Sequence, residues 1–160
     1  MDREEIITAF KETLDECGIR YKTSSPRDGS IVLSFGMKLA SKIPHVFASF
    51  DFRQVFIRIV AIYPGPLPLK NLTEMLRLIA MANQDMVAGC FAFEMKTRTI
   101  CFRYFLDCTD FETLPPDLVR NALLLPFQKY QRYGDAIVAV AEGSSDAATA
   151  FDSVRLNNED

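Results

Sequence analysis

Apolar positions first recur at helical spacing. Ile6, Ile7, Phe10, Leu14 and Cys17 fall on one stripe, with Asp2 and Glu5 ahead of it at capping-box spacing and Gly18 behind it as a stop. This predicts a helix over residues 3–17. The period then changes to two. Asp28-Gly29 is a turn signal, and Ile31, Leu33 and Phe35 alternate after it. From His45 to Tyr63 the chain is rich in Phe, Val and Ile, broken by Arg53-Gln54, which reads as a hairpin with those two residues as its loop. Val46, Ala48, Phe50, Phe52, Val55, Ile57, Ile59 and Ala61 then share one face, and a one-residue slip would exchange the faces.

The opposite face of that hairpin holds His45, Phe47, Ser49, Asp51, Phe56, Arg58, Val60 and Ile62. It is polar near the turn and apolar at the far end, more so than a solvent face requires. This predicts a cover over part of it: a loop, the tail or a partner chain.

Pro64, Pro66 and Pro68 end the strand and stiffen the connection. Asn71 and Glu74 start a second helix whose stripe is Leu72, Met75, Leu76, Ile79, Ala82 and Met86. Residues 89–106 predict a second hairpin turning near Thr97-Arg98. Phe91, Phe93, Met95, Ile100, Phe102 and Tyr104 lie on one face of it, and Cys90, Ala92, Glu94, Lys96, Thr99, Cys101, Arg103 and Phe105 on the other. Pro115-Pro116-Asp117 opens a last helix to about Glu142, with Pro126 expected to kink or divide it. Nine of the 13 Phe residues lie in predicted strands, so the core centres on a sheet. The expectation is an α+β domain over residues 1–142, with a five-stranded antiparallel sheet in the order α-β-β-β-α-β-β-α. Residues 143–160 are expected to form a mobile acidic tail in which Ala147–Leu156 has the makings of a short helix.

Charge changes this picture only at the ends. The formal net charge is -3, of which the segment from Glu142 carries -4, from five acids and one base. Residues 2–16 are acidic, and residues 18–50 are basic through Arg20, Lys22, Arg27, Lys38 and Lys42 against Asp28. Each reads as a solvated face. The 18 Lys and Arg residues are scattered singly, which argues against a nucleic-acid interface. The start has no signal-peptide pattern, and no apolar run approaches the ~18 residues of a membrane span. A cytoplasmic location is expected, with Cys17, Cys90, Cys101 and Cys108 as free thiols.

The segment from Leu76 through Asp107 resembles the YbjN-like family, a bacterial family described as sensory transduction regulators. The residues that carry the resemblance are Asn83, then Gly89-Cys90-Phe91-Ala92-Phe93, then Ile100-Cys101-Phe102-Arg103-Tyr104. The resemblance implies a fold like that of type III secretion chaperones and a regulatory or protein-binding role, with no catalytic residues to carry over.

Candidate chemistry is sparse. His45 is the only histidine, and its setting after Pro44 reads as surface. Cys101 is predicted to lie across the second hairpin from Glu94, where Arg103 would lower its thiol pKa, or where it simply sits beside an ion pair. Asp107, Asp110 and Glu112 lack calcium-loop spacing and read as a polar loop. No phosphate loop, zinc-ligand pattern or nucleophile elbow occurs, and no cofactor or metal is expected. Two functions follow. The first is a non-enzymatic protein-binding or regulatory module, alone or as a homodimer, or a chaperone holding a client segment. Its partner-binding candidates are Phe47, Phe56, Arg58, Val60, Glu94, Arg103 and Phe105. The second is a small-molecule or anion binder, or an enzyme, using Arg58 and Arg103.

Overall fold

A computed structural model describes residues 1–65 and 67–156. Pro66, the middle proline of the predicted stiff connection, and residues 157–160 lie outside it. The described residues are helix α1 (Arg3–Glu16), strands β1 (Lys22–Ser24), β2 (Ile31–Lys38), β3 (His45–Arg53) and β4 (Phe56–Ile62), helix α2 (Leu72–Asp85), strands β5 (Cys90–Glu94) and β6 (Thr99–Asp107), and helices α3 (Pro116–Glu142) and α4 (Ala147–Leu156). The sheet is antiparallel, with six strands in the order β1-β2-β3-β4-β6-β5. The fold is α+β. Five strands were expected. The sixth is β1, whose Lys-Thr-Ser is exposed throughout and carries no apolar alternation to mark it.

Local chemistry sets the element ends. Asp2 accepts the Glu5 N–H at 2.9 Å and Glu5 accepts the Asp2 N–H at 2.7 Å, a full capping box. Asn71 caps α2 through the Glu74 N–H. Gly143 ends α3 in the left-handed region. Pro126 sits inside α3, yet α3 is one helix of 27 residues, so the expected division does not occur. Pro126 removes a single N–H from the ladder, and its buried ring packs inward.

One sheet face builds the core. Leu33, Phe50, Phe52, Ile57, Ile59 and Phe102 pack with Phe10 of α1, Met75 of α2 and Phe127 and Tyr130 of α3. Phe10 meets Phe52 edge-on at 5.2 Å, and Phe91 meets Tyr130 in the same way at 5.3 Å. The Tyr130 hydroxyl donates to the Ile100 carbonyl at 2.9 Å, so this buried group of the helix layer is satisfied by the sheet backbone.

Both hairpins keep the predicted faces but not the predicted pairing. The first turns at Gln54-Val55, with Gln54 at φ 45°, so Phe52 pairs with Ile57 and Phe50 with Ile59. The second has a longer loop, Met95 to Arg98, so Glu94 pairs with Thr99 and Cys101 with Ala92 rather than with Glu94. Met95 is exposed in that loop and is not part of the core. In each case the pairing moves by two residues, which preserves the sorting of faces.

Within the predicted tail, residues 147–156 adopt the short helix that the sequence allowed for them. They form α4, packed on α3 and α2 with Ala147, Ala150, Phe151 and Val154 buried. Asp146 accepts the Thr149 N–H at 2.9 Å, and Glu74 of α2 accepts the Ala147 N–H at 2.8 Å.

Candidate functional site

The helices all lie on one side of the sheet, and among the described residues nothing covers the other. Register places the candidate residues on that open face. Phe47 pairs with Ile62, Ser49 with Val60, Asp51 with Arg58 and Arg53 with Phe56 across β3 and β4. Arg58 pairs with Phe105 and Val60 with Arg103 across β4 and β6, and Arg103 with Cys90 across β6 and β5. Phe47, Phe56, Arg58, Val60, Glu94, Arg103 and Phe105 therefore occupy one continuous surface. Phe47 is 52% exposed and Phe105 59%, while Phe56 and Ile62 are somewhat less so. Phe56 and Phe105 stand 6.0 Å apart, ring to ring. The cover expected over this face is not provided by any described part of the chain.

The charges here are mostly paired with each other. Asp51 is only 5% exposed. Its Oδ2 accepts from Arg53 Nε at 2.9 Å and from an Arg58 terminal nitrogen at 3.0 Å. Arg53 also donates to Asp28 at 2.6 Å. Hydrogen bonds first to Asp51 and then to Asp28 raise the Arg53 pKa. Asp28 is held below the usual carboxylate value, first by the Ser30 hydroxyl and next by the Ser30 N–H. The second Asp51 oxygen, Oδ1, is buried without a hydrogen-bond partner among the described residues. Arg103 and Glu94 face each other at 3.9 Å, a looser pair. The charges of this face thus form two separate groups, Asp51 with Arg53 and Arg58, and Glu94 with Arg103, set among the exposed aromatics.

The remaining chemical candidates lie apart. His45 is exposed at the start of β3. Cys101 is buried beside Arg103, and hydrogen bonding to Cys101 is the first cause of a raised Arg103 pKa. Burial pushes the Cys108 thiol up to about 11, which keeps it unreactive. Cys17 and Cys90 are exposed free thiols. Asp107 accepts from the Thr109 N–H and hydroxyl, so it shapes the loop before α3. No group of three or more potential metal ligands forms among the described residues. No described helix is long and apolar enough to cross a membrane.

Two features of the site carried no signal in the sequence. The first is the closure of the β5 edge. The Asn83 side chain donates to the Phe91 carbonyl at 2.9 Å and accepts the Phe91 N–H at 2.7 Å. The second is the position of Arg20, Tyr21 and Lys22 beside Gly36 and Phe47, which depends on where β1 stops. Comparison of the chain with protein-family models, curated proteins and solved structures finds no match.

Proposed function

We propose that this chain is a non-enzymatic protein-binding or regulatory module that docks a partner, or a second copy of itself, on the open face of its sheet. One observation carries the reading. Half of the large hydrophobic side chains exposed on the described molecule, Phe47, Phe56, Ile62 and Phe105, stand together on that face. Interleaved with arginines, they make the aromatic and arginine composition that binding hot spots favour. The resemblance to YbjN-like regulators and to the secretion-chaperone fold agrees with such a role. The anion-binding alternative is less favoured, because Arg58 is already neutralised by Asp51 and Arg103 faces Glu94.

The test is association, measured by light scattering and by capture from the source lysate, for the wild type and for Phe56→Asp and Phe105→Asp. Both side chains are exposed, so the variants are expected to keep the wild-type melting transition. Loss of about tenfold or more in self-association or partner affinity is expected. Wild-type association in both variants, or a wild type that is monomeric and captures no stoichiometric partner, would overturn the reading.

A further inference from the structure

The two edges of the sheet are finished differently. Leu39 donates its N–H to the Pro44 carbonyl at 2.9 Å, in continuation of the register that pairs Met37 with Val46. Backbone groups alternate sides along an antiparallel strand. The odd-numbered residues of β2 therefore exchange hydrogen bonds with β3, and Val32, Ser34, Gly36 and Lys38 direct theirs to the outer edge. Val32 and Ser34 meet β1 there, through Ser24 and Lys22. Gly36 and Lys38 do not, because β1 starts at Lys22 and the chain before it turns back to α1, where Ile19 donates to the Leu14 carbonyl. Their N–H and C=O groups face an edge with no strand beside it. At the far edge, Asn83 closes Phe91.

The unpaired stretch borders a groove of about 460 Å³. Arg20, Tyr21 and Lys22 form one wall, Ser34 to Gly36 the other, and Phe47 of the open face adjoins it. The Phe47 ring lies close over Gly36, where a Cβ would stand 2.8 Å from it and would displace that exposed ring. No acidic side chain lines this groove, although Asp15 lines the adjoining concavity with Arg20. Arg20, Lys22 and Lys38 are exposed and make no salt bridge among the described residues, whereas Arg53, Arg58 and Arg103 each have a carboxylate.

We propose that the outer edge of β2 at Gly36 and Lys38 receives an extended segment of another protein as an added strand, with acidic residues set against Arg20, Lys22 and Lys38. This deepens the protein-binding reading and gives the partner a chemistry. The free backbone groups supply the hydrogen bonds and the three unpaired cations select acids. Side chains alternate along a strand, so the segment alternates acidic residues on the open-face side with apolar residues beside Phe35 and Met37.

The experiment follows fluorescence anisotropy of labelled peptides with the full chain. The probes are a Val-Glu repeat, a Val-Lys repeat, and the Val-Glu repeat methylated on alternate backbone nitrogens. The Val-Glu peptide is expected to bind at least about tenfold tighter than either of the others. Lys38→Pro removes an edge N–H while leaving the β3 ladder whole, and is expected to cost the same factor. Should Lys38→Pro fail to fold, Arg20→Glu with Lys22→Glu, both exposed, reads the charge contribution alone. Lys96→Glu, exposed in the loop between β5 and β6 at the opposite end of the strand order, is expected to leave peptide affinity unchanged. Equal binding of acidic and basic peptides, indifference to backbone methylation, or no binding of the Val-Glu peptide overturns strand addition. If Phe105→Asp still abolishes association in that case, the open-face reading stands and only the edge proposal falls. A second copy of the chain competing the peptide off without acidic residues at the contact would overturn the acidic partner in favour of self-pairing.

Discussion

The Asn83 amide uses both ends on a single residue of β5, donating to the Phe91 carbonyl and accepting the Phe91 N–H. It occupies the place of a neighbouring strand at a point where an open edge would invite pairing with another chain. Removing it strands two partly buried backbone groups at once. Asn83→Ala is therefore expected to cost about 2 kcal/mol, seen as a lower urea midpoint with an unchanged slope. Asn83→Asp should not rescue it, because a carboxylate oxygen would then oppose the Phe91 carbonyl. A wild-type midpoint in Asn83→Ala would show that water replaces both bonds at no cost. The asparagine is visible in the sequence, as one of the residues that carry the family resemblance, but its partner is not. The two residues meet only because Gly89, at φ 74°, folds the chain back with its Cα against the Phe102 ring, a position without room for a Cβ. Caps such as Asp2 with Glu5 are legible because both partners lie within one helical turn. A cap that acts across a turn leaves no such spacing.

Among the elements, α4 depends on two carboxylates in a way that makes it sensitive to acid. Glu74 accepts the Ala147 N–H from α4 and is held below its ordinary 4.5, first by that bond and then by Arg77. Asp146 caps α4 and lies below its ordinary 3.8, first through the Thr149 N–H and then through the Thr149 hydroxyl. Both folded values are depressed. Their contribution is thus complete above the ordinary values and is lost as pH falls through the lower, folded ones. The protection factors of the α4 amides, taken against the intrinsic exchange rate at each pH, are expected to fall as pH drops below about 4, ahead of those in β3 and β4. In Glu74→Gln the Glu74 part of that dependence should vanish, with α4 already looser at neutral pH. Uniform acid loss across α4 and the sheet would refute a separate step. The sequence allowed this helix but offered little to dock it, since its apolar face is only Ala147, Ala150, Phe151 and Val154. What decides the matter is the surface on α2 and α3 that receives those four, and such a surface exists only after folding. The hairpins show the opposite case. Their faces follow from alternation alone, while their turns do not, because neither Gln54-Val55 nor the loop Met95 to Arg98 has the Asn-Gly chemistry that fixes a turn.

At the scale of the whole molecule, one sheet serves two purposes, and residues three apart on β3 separate them. Phe50 is fully buried between the sheet and the helices, stacked at 5.4 Å on Phe35, and Phe47 projects from the other side. Phe50→Ala removes a ring from a packed core and is expected to cost about 3–5 kcal/mol. Phe47→Ala removes a half-exposed ring and should cost within about 0.5 kcal/mol in dilute solution. The contrast tests the layering, and chain concentration tests what the open face does. If the face binds a second copy, the folded state gains stability by mass action as concentration rises. The wild-type midpoint should then climb with concentration while that of Phe47→Ala stays flat, so the cost of this substitution grows although the isolated fold hardly registers it. If the face binds a different protein, both midpoints stay level in the purified sample and separate only when that partner is added. A large cost for Phe47→Ala at every concentration would mean that the ring is packed within the chain itself, and the open face would lose its claim as a docking surface.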